Sequence, residues 1–137
     1  IVAAAILQHQ TISMLNYLQN GATKLFRFIS ITKLFKYFNF VEESERHLED
    51  SAEYDWYLMM LAVTPDYQRK GIGSRFLLEG VEPFVRSTGG RSLGLITNRD
   101  YNVPFYEKNG YKLCGYKVLT YENHKLGNWP FVKSLEE

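Results

Sequence analysis

The most restrictive feature of the chain is an apolar run that meets a glycine-rich turn and then changes its hydrophobic period. Residues 54–63 read YDWYLMMLAV, which is typical of a β-strand, and Pro65 closes the run. The turn QRKGIGS spans residues 68–74. Apolar residues then recur at helical spacing, at Ile72, Phe76, Leu77, Val81, Phe84 and Val85. The sequence therefore predicts a strand over 54–63, a turn, and a helix over 71–82.

The remaining elements follow from the same periodicities. We predict a buried strand over 1–8, two or three short helices within 12–49, a strand over 92–97, a short helix capped by Asn102 and ended by Asn109 and Gly110, and strands over 111–121 and 129–135 joined by a hairpin at 124–128. We expect Pro83 to kink or shorten the helix after the turn, because proline has no N–H for the helical ladder. This order predicts an α/β fold in which helices pack on a mixed sheet.

Two charged segments precede the central strand and leave alternatives open. Residues 24–37 interleave lysine and arginine with apolar residues. We favour helices that cover the sheet, and the alternative is a basic amphipathic helix on a membrane surface. The acidic run 42–50 is interpreted as a solvated helix end, with a substrate-facing acidic patch as its alternative.

Length and composition limit the class of protein. A chain of 137 residues suits one domain, over residues 1–137, and its net charge of +1 gives no argument for a nucleic-acid partner. One cysteine, Cys114, excludes an internal disulfide and favours a reducing, cytoplasmic setting, and we expect its thiol to be buried and inert. No apolar run is long enough to span a membrane. The chain begins with Ile1 in a strand-like segment, so we expect a fragment of a longer protein.

The glycine-rich turn has the properties of a phosphate-binding site. The first N–H groups of a helix are free to bind an anion, and glycine lets a phosphate approach the backbone closely. Arg69 and Lys70 add positive charge beside it. The nucleoside-triphosphate loop pattern is absent, and Phe76 stands where the dinucleotide fingerprint requires its third glycine.

Two segments together resemble a known family. The segment QRKGIG at residues 68–73 resembles the Q/R-x-x-G-x-G/A signature of the GNAT N-acetyltransferase superfamily. The segment NVPFYEKNGY at residues 102–111 is similar to the family's later asparagine, Phe-Tyr and Gly-Tyr segment. The resemblance covers residues 54–120 well and residues 1–10 loosely, and it implies that the family's opening strand and helices are missing before Ile1. It also implies the GNAT fold, with a mixed, mostly antiparallel central sheet.

The resemblance further implies a role for acetyl-CoA as cosubstrate and assigns residues to it. The strand end would hold the pantetheine arm, the turn would hold the pyrophosphate, and two asparagines would bind the other side. The cofactor-binding residues implied in this way are Leu61, Ala62, Val63, Gln68, Arg69, Lys70, Gly71, Ile72, Gly73, Ser74, Asn98, Asn102 and Tyr106. Tyr106 matches the family tyrosine that protonates the departing thiolate, and the alternative is an aromatic residue that packs on the sheet.

The acceptor side is left open by the sequence. Some family members carry a glutamate as general base at the position of Tyr57, which we expect to line the acceptor site or pack beneath it on the same strand face as Met59 and Leu61. The base is therefore unassigned. Glu53, Asp55 or Glu43 could act through water, or the amine could arrive neutral.

The implied partners are acetyl-CoA and an amine-bearing small molecule or peptide, without nucleic acid or membrane, and a homodimer is left open. The three histidines match no metal-ligand spacing, so no metal is expected; they are His9, His47 and His124. The resemblance implies an acetyl-CoA-dependent N-acetyltransferase. The alternative is a catalytically silent, regulatory CoA-binding module, because a carboxylate is missing at position 57.

Overall fold

The computed structural model describes residues 1–9, 19–21, 24 and 28–136. Its strands are β1 (Ala3–Gln8), β2 (Trp56–Val63), β3 (Ser92–Thr97), β4 (Lys112–Leu113), β5 (Lys117–Tyr121) and β6 (His124–Ser134). Its helices are α1 (Ile31–Ser51), α2 and α3 (Val103–Lys108). Helix α2 is continuous over three segments: α-helical Ile72–Phe76, π-helical Leu77–Val81 and α-helical Glu82–Ser87.

The sheet is mixed and mostly antiparallel, as predicted. Its strand order is β1-β2-β3-β6-β4, and β5 pairs with the first half of β6. Strands β2 and β3 are parallel, whereas the other pairings of the described strands are antiparallel. A parallel pair requires a crossover, and α2 provides it. The chain therefore arrives at the end of β2, turns at the glycine-rich segment and returns along one face of the sheet.

The main core lies between α2 and the sheet. Leu77, Val81 and Val85 are buried on α2, at the helical spacing that the sequence predicts, and they join a cluster with Leu58 and Phe131. Burying a side chain of this size stabilises the fold by roughly 1.5–3 kcal/mol. The predicted apolar face of α2 also included Phe84. That residue is instead half exposed, and its ring packs edge-on against Trp56.

Pro83 was predicted to kink or shorten α2, and the helix is not shortened. The helix continues to Ser87, and the turn before the proline widens into π-helical geometry. The N–H of Glu82 bonds to the carbonyl of Leu77, which is five residues earlier. The backbone hydrogen bonds have therefore already widened from an i−4 to an i−5 partner just before Pro83, which has no N–H to donate. The helix continues past Pro83.

Helix α1 covers the other face of the sheet. The sequence predicted two or three short helices within 12–49. Ile31–Ser51 is a single helix of 21 residues that includes the acidic run, and residues 12–18 of the predicted segment lie outside the described residues. Leu34 and Leu48 are buried on it, fourteen residues or about four turns apart. Leu25 and Arg27, on which that prediction also rested, lie outside the described residues. No helix in the described part of the chain is both long and apolar enough to cross a membrane.

The C-terminal hairpin turns earlier than predicted. The reversal falls between β5 and β6 at Glu122 and Asn123, and Glu122 adopts a left-handed φ of 53°. Residues 124–128, predicted as the connection, belong to β6 and pair with β5. Cys114, predicted to be buried in a strand, follows β4 and is only partly buried, and burial raises the pKa of its thiol.

Candidate functional site

A gap opens in the middle of the sheet where β2 and β3 separate. The parallel pairing joins Trp56 to Leu93 and ends at Leu58 and Leu95. Strand β2 then continues to Val63 along β1, whereas β3 continues to Thr97 along β6. Beyond the branch point each strand is therefore paired on its outer side only, and backbone groups on the inner side are available to a ligand that carries amides.

The β2 groups that face this gap follow from the pairing with β1. The N–H of Thr64 donates to the carbonyl of Val2 at 2.9 Å. Because backbone groups alternate along a strand, the N–H and C=O groups of Ala62 also point towards β1. Those of Leu61 and Val63 point into the gap. Of the three predicted β2 residues, these two can offer backbone groups to a bound arm, although the Gln68 amide already donates to the Val63 carbonyl at 2.9 Å.

A bulge at Met59 corrects the predicted faces of β2. Met60 pairs with Ile6 and Leu58 pairs with Leu7, so Met59 is an extra residue on its strand. Leu58 and Leu61 therefore both belong to the core on the α2 side, three residues apart. The prediction that Tyr57, Met59 and Leu61 share one face is wrong, because that prediction assumed an unbroken alternation.

The glycine-rich turn forms one end of the gap. Gly71 has a φ of 78° and Arg69 a φ of 58°, so two left-handed residues lie close together just before α2. Such a backbone points consecutive N–H groups to one side, which is a geometry that binds anions. No side chain caps the start of α2 at Ile72. The buried Ser74 hydroxyl has no hydrogen-bond partner in the described part of the chain, so an acceptor is missing where the phosphate is predicted.

The two glycines of the turn have different surroundings. A Cβ on Gly71 would meet no atom within 4 Å. A Cβ on Gly73 would lie 3.3 Å from the Phe105 ring and 3.7 Å from a Val63 methyl. Gly73 is therefore the point at which the start of α2, the end of β2 and α3 come together. Gly71 instead faces open space.

The two predicted asparagines are held by the protein itself. The Asn98 side-chain amide donates to the Gly127 carbonyl at 2.7 Å, and that of Asn102 donates to the Thr97 hydroxyl at 3.0 Å. Asn102 stands at the N-cap position of α3, but its side chain makes no capping hydrogen bond, contrary to prediction. Both side chains thus fix the loop between β3 and α3, and each keeps its carbonyl oxygen and its second N–H for a ligand.

Tyr106 lies at the branch point of the sheet. Its ring packs 5.6 Å from that of Phe131, which pairs with Leu95, the last β3 residue joined to β2. Burial raises the pKa of its phenol. The hydroxyl has no hydrogen-bond partner among the residues that the structure describes. A protonated, unengaged phenol is therefore available at the base of the gap.

An acidic cleft opens on the α1 side of the sheet, next to the branch point. Its volume is about 300 Å³, and its walls are formed by Gln8, His9, Glu45, Glu49, Ala52, Glu53, Tyr54 and Tyr57. Burial and the neighbouring Glu49 raise the pKa of the Glu45 carboxyl. The pKa of Tyr57 is raised strongly by burial, then by Glu45 and, more weakly, by Tyr54 and Tyr106. Tyr57 thus lies within electrostatic reach of both Glu45 and Tyr106.

The structure separates the candidate bases. Glu53 lines the cleft, whereas Glu43 forms an ion pair with Lys117 at 3.0 Å. Asp55 accepts the Arg91 backbone N–H at 2.6 Å and is held at the start of β2. Glu45 was not among the predicted site residues. Its spacing of four from Glu49 places both carboxylates on one face of a helix, but only the packing of α1 on the sheet determines that this face lines the cleft.

The family follows from a comparison with known proteins. A family model described as an acetyltransferase (GNAT) domain matches residues 36–113, which is more than half of the chain. The chain belongs to the GNAT acetyltransferase domain family. The matched region of this GNAT domain runs from α1 to β4 and includes the gap, the glycine-rich turn and Tyr106.

Solved structures show the same fold for the GNAT domain. A mosquito arylalkylamine N-acetyltransferase-like 5b protein superposes with a TM-score of 0.69 at 15% identity, over 97% of this chain and 68% of its own. An agmatine N-acetyltransferase superposes with a TM-score of 0.61 at 16% identity, over 98% of this chain and 71% of its own.

Among the described residues of the domain, no group of three or more His, Cys, Asp or Glu residues could hold a metal ion.

A curated relative matches a shorter region. The tRNA(Met) cytidine acetyltransferase TmcA of Aeropyrum pernix is 40% identical over 57 residues. These residues are 42% of this chain but only 8% of TmcA. The GNAT domain therefore corresponds to a small part of that relative.

Proposed function

We propose that this GNAT domain transfers an acetyl group from acetyl-CoA to an amine by direct attack in a ternary complex. The observation that carries the proposal is the gap between β2 and β3, which has the glycine-rich turn at one end and Tyr106 at its branch point. A ligand that fits this arrangement has a phosphate group, an amide-bearing arm and a reactive end at fixed distances. Acetyl-CoA has these three parts and supplies a thioester acyl group.

The residues of the gap divide the binding between them. The backbone groups of Leu61 and Val63 would pair with the amides of the arm, and one strand N–H would stabilise the developing oxyanion. The turn from Gln68 to Ser74 would hold the pyrophosphate, with Arg69 and Lys70 supplying charge. The unpartnered Ser74 hydroxyl supports this assignment, because a buried donor without an acceptor costs about 1–3 kcal/mol until a ligand satisfies it.

Proton transfer would be shared by Tyr106 and Glu45. Tyr106 would hold the proton that the departing thiolate takes as the C–S bond breaks, and its raised pKa keeps the phenol protonated at neutral pH. Glu45 would take one proton from the ammonium group of the acceptor, which frees the nitrogen lone pair to attack. Its raised pKa brings it closer to the pH at which a carboxylate is an effective base. The second N–H proton, lost as the new C–N bond forms, would go to the Tyr106 oxygen, which has given its own proton to the thiolate. Both residues lie within electrostatic reach of Tyr57.

The cleft favours an acceptor amine that arrives as a cation. Three glutamates line a cleft of about 300 Å³, together with two tyrosine rings. Carboxylates attract an ammonium group, and tyrosine faces stabilise it further. Some family members have a glutamate at the position of Tyr57. The absence of that carboxylate here was the reason for considering a catalytically silent module. Glu45 weakens that alternative, because it brings a carboxylate into the same cleft from α1.

A panel assay separates an enzyme from a silent CoA-binding module. Acetyl-CoA turnover is measured with spermidine, 1,4-diaminobutane, 2-phenylethylamine and a peptide with a free N-terminus. We expect turnover with at least one of the cationic amines and none with their fully N-acetylated forms, which have no free amino group. CoA binding without turnover for any amine would favour the silent module, and absence of CoA binding would refute the proposed site.

Gly71→Val is expected to weaken CoA binding by tenfold or more, which corresponds to about 1.4 kcal/mol. The valine side chain would stand where the phosphate approaches, and its Cβ meets no protein atom within 4 Å. Gly89→Val is a matched control, because Gly89 has a similar φ of 85° and equally open surroundings. Both variants should lose similar stability, since a left-handed non-glycine residue costs roughly 1–2 kcal/mol.

Calorimetric titration with CoA and thermal unfolding of both variants provide the test. Equal affinity of the two variants would contradict the phosphate assignment. Gly73→Val is unsuitable here, because its Cβ would crowd the Phe105 ring at 3.3 Å and disturb the packing as well as the ligand.

A further inference from the structure

A buried ion pair joins α2 to β6 behind the proposed site. Glu82 is only 2% exposed, and Lys133 Nζ donates to its two carboxylate oxygens at 2.8 and 2.9 Å. The Tyr111 hydroxyl donates to the same carboxylate at 3.2 Å. Arg86 lies 4.0 Å away on the solvent side of α2. We call Glu82, Lys133 and Tyr111 the buried clamp.

The clamp reaches the end of α3 through Asn109. The third hydrogen bond of Lys133 Nζ goes to the Asn109 carbonyl at 2.9 Å, so the ammonium group uses all three donors. Asn109 is itself only 6% exposed. Its side-chain amide donates to the Phe105 carbonyl at 2.7 Å, and its N–H donates to the Tyr106 carbonyl at 3.1 Å.

The same clamp holds Tyr106 from a second direction. The N–H of Tyr111 donates to the Tyr106 carbonyl at 3.1 Å, and the two rings pack edge to face at 5.9 Å. The hydroxyl of Tyr111 is fixed by Glu82. Helix α3 has only six residues, so it gains little stability from its own hydrogen bonds and depends on such contacts.

We propose that the buried clamp of Glu82, Lys133 and Tyr111 positions Tyr106 for proton transfer, by fixing the C-terminal end of α3 against α2 and β6. Stability alone does not account for the ion pair, because apolar residues of similar volume often replace a buried pair without loss of stability. The clamp acts through the Tyr106 backbone and ring and touches no substrate. This inference rests on the proposed function, in which Tyr106 is the acid.

The test is a double-mutant comparison. Glu82→Leu with Lys133→Met replaces the ion pair by apolar groups of similar size, and removes the donor to the Asn109 carbonyl. We expect kcat to fall about tenfold or more, because a displacement near 1 Å in an active site can cost about a hundredfold. We expect KM for acetyl-CoA to change by less than about twofold, because the cradle and the β2 groups lie outside the clamp.

The decisive measurement repeats the substitution in a Tyr106→Phe background, with the best acceptor of the amine panel. If the clamp works through Tyr106, the pair of substitutions then causes no further loss of kcat. The same loss in both backgrounds would show a general structural role and overturn the proposal, as would full kcat in the otherwise native chain. The exposed pair Glu42→Gln with Arg46→Met on α1 is the control, and its kcat should be unchanged.

Two further variants distinguish failure of the clamp proposal from misfolding and from failure of the proposed function. If the double variant does not fold by circular dichroism, Tyr111→Phe removes only the hydroxyl that binds Glu82, and a kcat loss that vanishes in the Tyr106→Phe background again supports the clamp. If Tyr106→Phe alone keeps full turnover, the acid role in the proposed function is wrong and the clamp proposal is overturned with it. If Tyr106→Phe lowers kcat but the clamp variant does not, the clamp proposal is overturned and the acid role of Tyr106 stands.

Discussion

Tyr106→Phe is expected to lower turnover about a hundredfold or more and to leave KM for acetyl-CoA nearly unchanged. The substitution removes only the hydroxyl, and the ring keeps its contacts with Phe105, Tyr111 and Phe131. A positioned general acid typically contributes about 10²–10⁴-fold to a rate. The contacts proposed for the rest of acetyl-CoA, with the gap and the turn, do not involve this oxygen. The loss should therefore appear in kcat.

Two comparisons identify the role of the proton. A thioester of an acidic aryl thiol leaves without protonation, so the loss in Tyr106→Phe should shrink with that donor. Tyr101→Phe is the control on the neighbouring turn, because Tyr101 is exposed and its hydroxyl has no role in the gap. Burial raises the pKa of Tyr106, so the basic limb of the wild-type rate profile should lie above the ordinary phenol value of 10.0. Full turnover of the variant with acetyl-CoA would mean that Tyr106 only packs on the sheet.

The strand, turn and helix that define the site could be predicted because each has a local cause. The predicted strand 54–63 is observed from Trp56, and the predicted helix begins at Ile72 after a left-handed Gly71. Apolar periodicity and glycine punctuation are properties of a short window, so they can be recognised without the rest of the chain.

Most of the predictions that were wrong concern residues whose structure depends on contacts with segments that are distant in sequence. Gly127 and Asn128 look like turn residues, but a Cβ on Gly127 would overlap the Trp129 ring, so glycine serves close packing within β6. Asn128 is fully buried, where its amide donates to Ser44 at 2.5 Å and its oxygen lies 2.6 Å from His47 Nδ1. The bulge at Met59 likewise follows from pairing with β1. The partners of Asn128 and of the Met59 bulge are distant in sequence, whereas the contact between Gly127 and Trp129 is local but depends on how the tryptophan ring is packed.

The acceptor side was the least predictable for the same reason. Glu45 becomes a candidate base only because α1 lies across the face of the sheet that carries Tyr57. The sequence indicates an acidic helix end, and a charged run of that kind is usually solvated. Which glutamate turns inward depends on the packing of α1 through Leu34 and Leu48, and this packing is a tertiary property.

Glu45→Gln is expected to reduce turnover at neutral pH by about a hundredfold, the contribution typical of a general base. The amide keeps the size of the side chain but cannot accept the amine's proton. Because burial and Glu49 raise the Glu45 pKa above 4.5, the folded state binds that proton more tightly than the unfolded state does. The contribution of Glu45 to stability is therefore present at low pH and lost as pH rises through its folded pKa. Removing the charge should leave thermal stability at pH 7 unchanged or higher, so a loss of turnover is not a loss of fold.

The pH profile then tests whether Glu45 itself is the base. In the wild type, turnover should rise with pH through a pKa above the ordinary carboxyl value of 4.5, because the base must be deprotonated. Glu49→Gln removes the second cause of the raised pKa, so this acidic limb should move to lower pH while the maximal rate is largely retained. Glu42→Gln, on the exposed face of α1, should change neither the limb nor the rate. The assignment is wrong if the acidic limb stays in place in Glu49→Gln, or if Glu45→Gln keeps full turnover. Another group would then accept the proton, and Glu53 is the predicted candidate base that also lines the cleft.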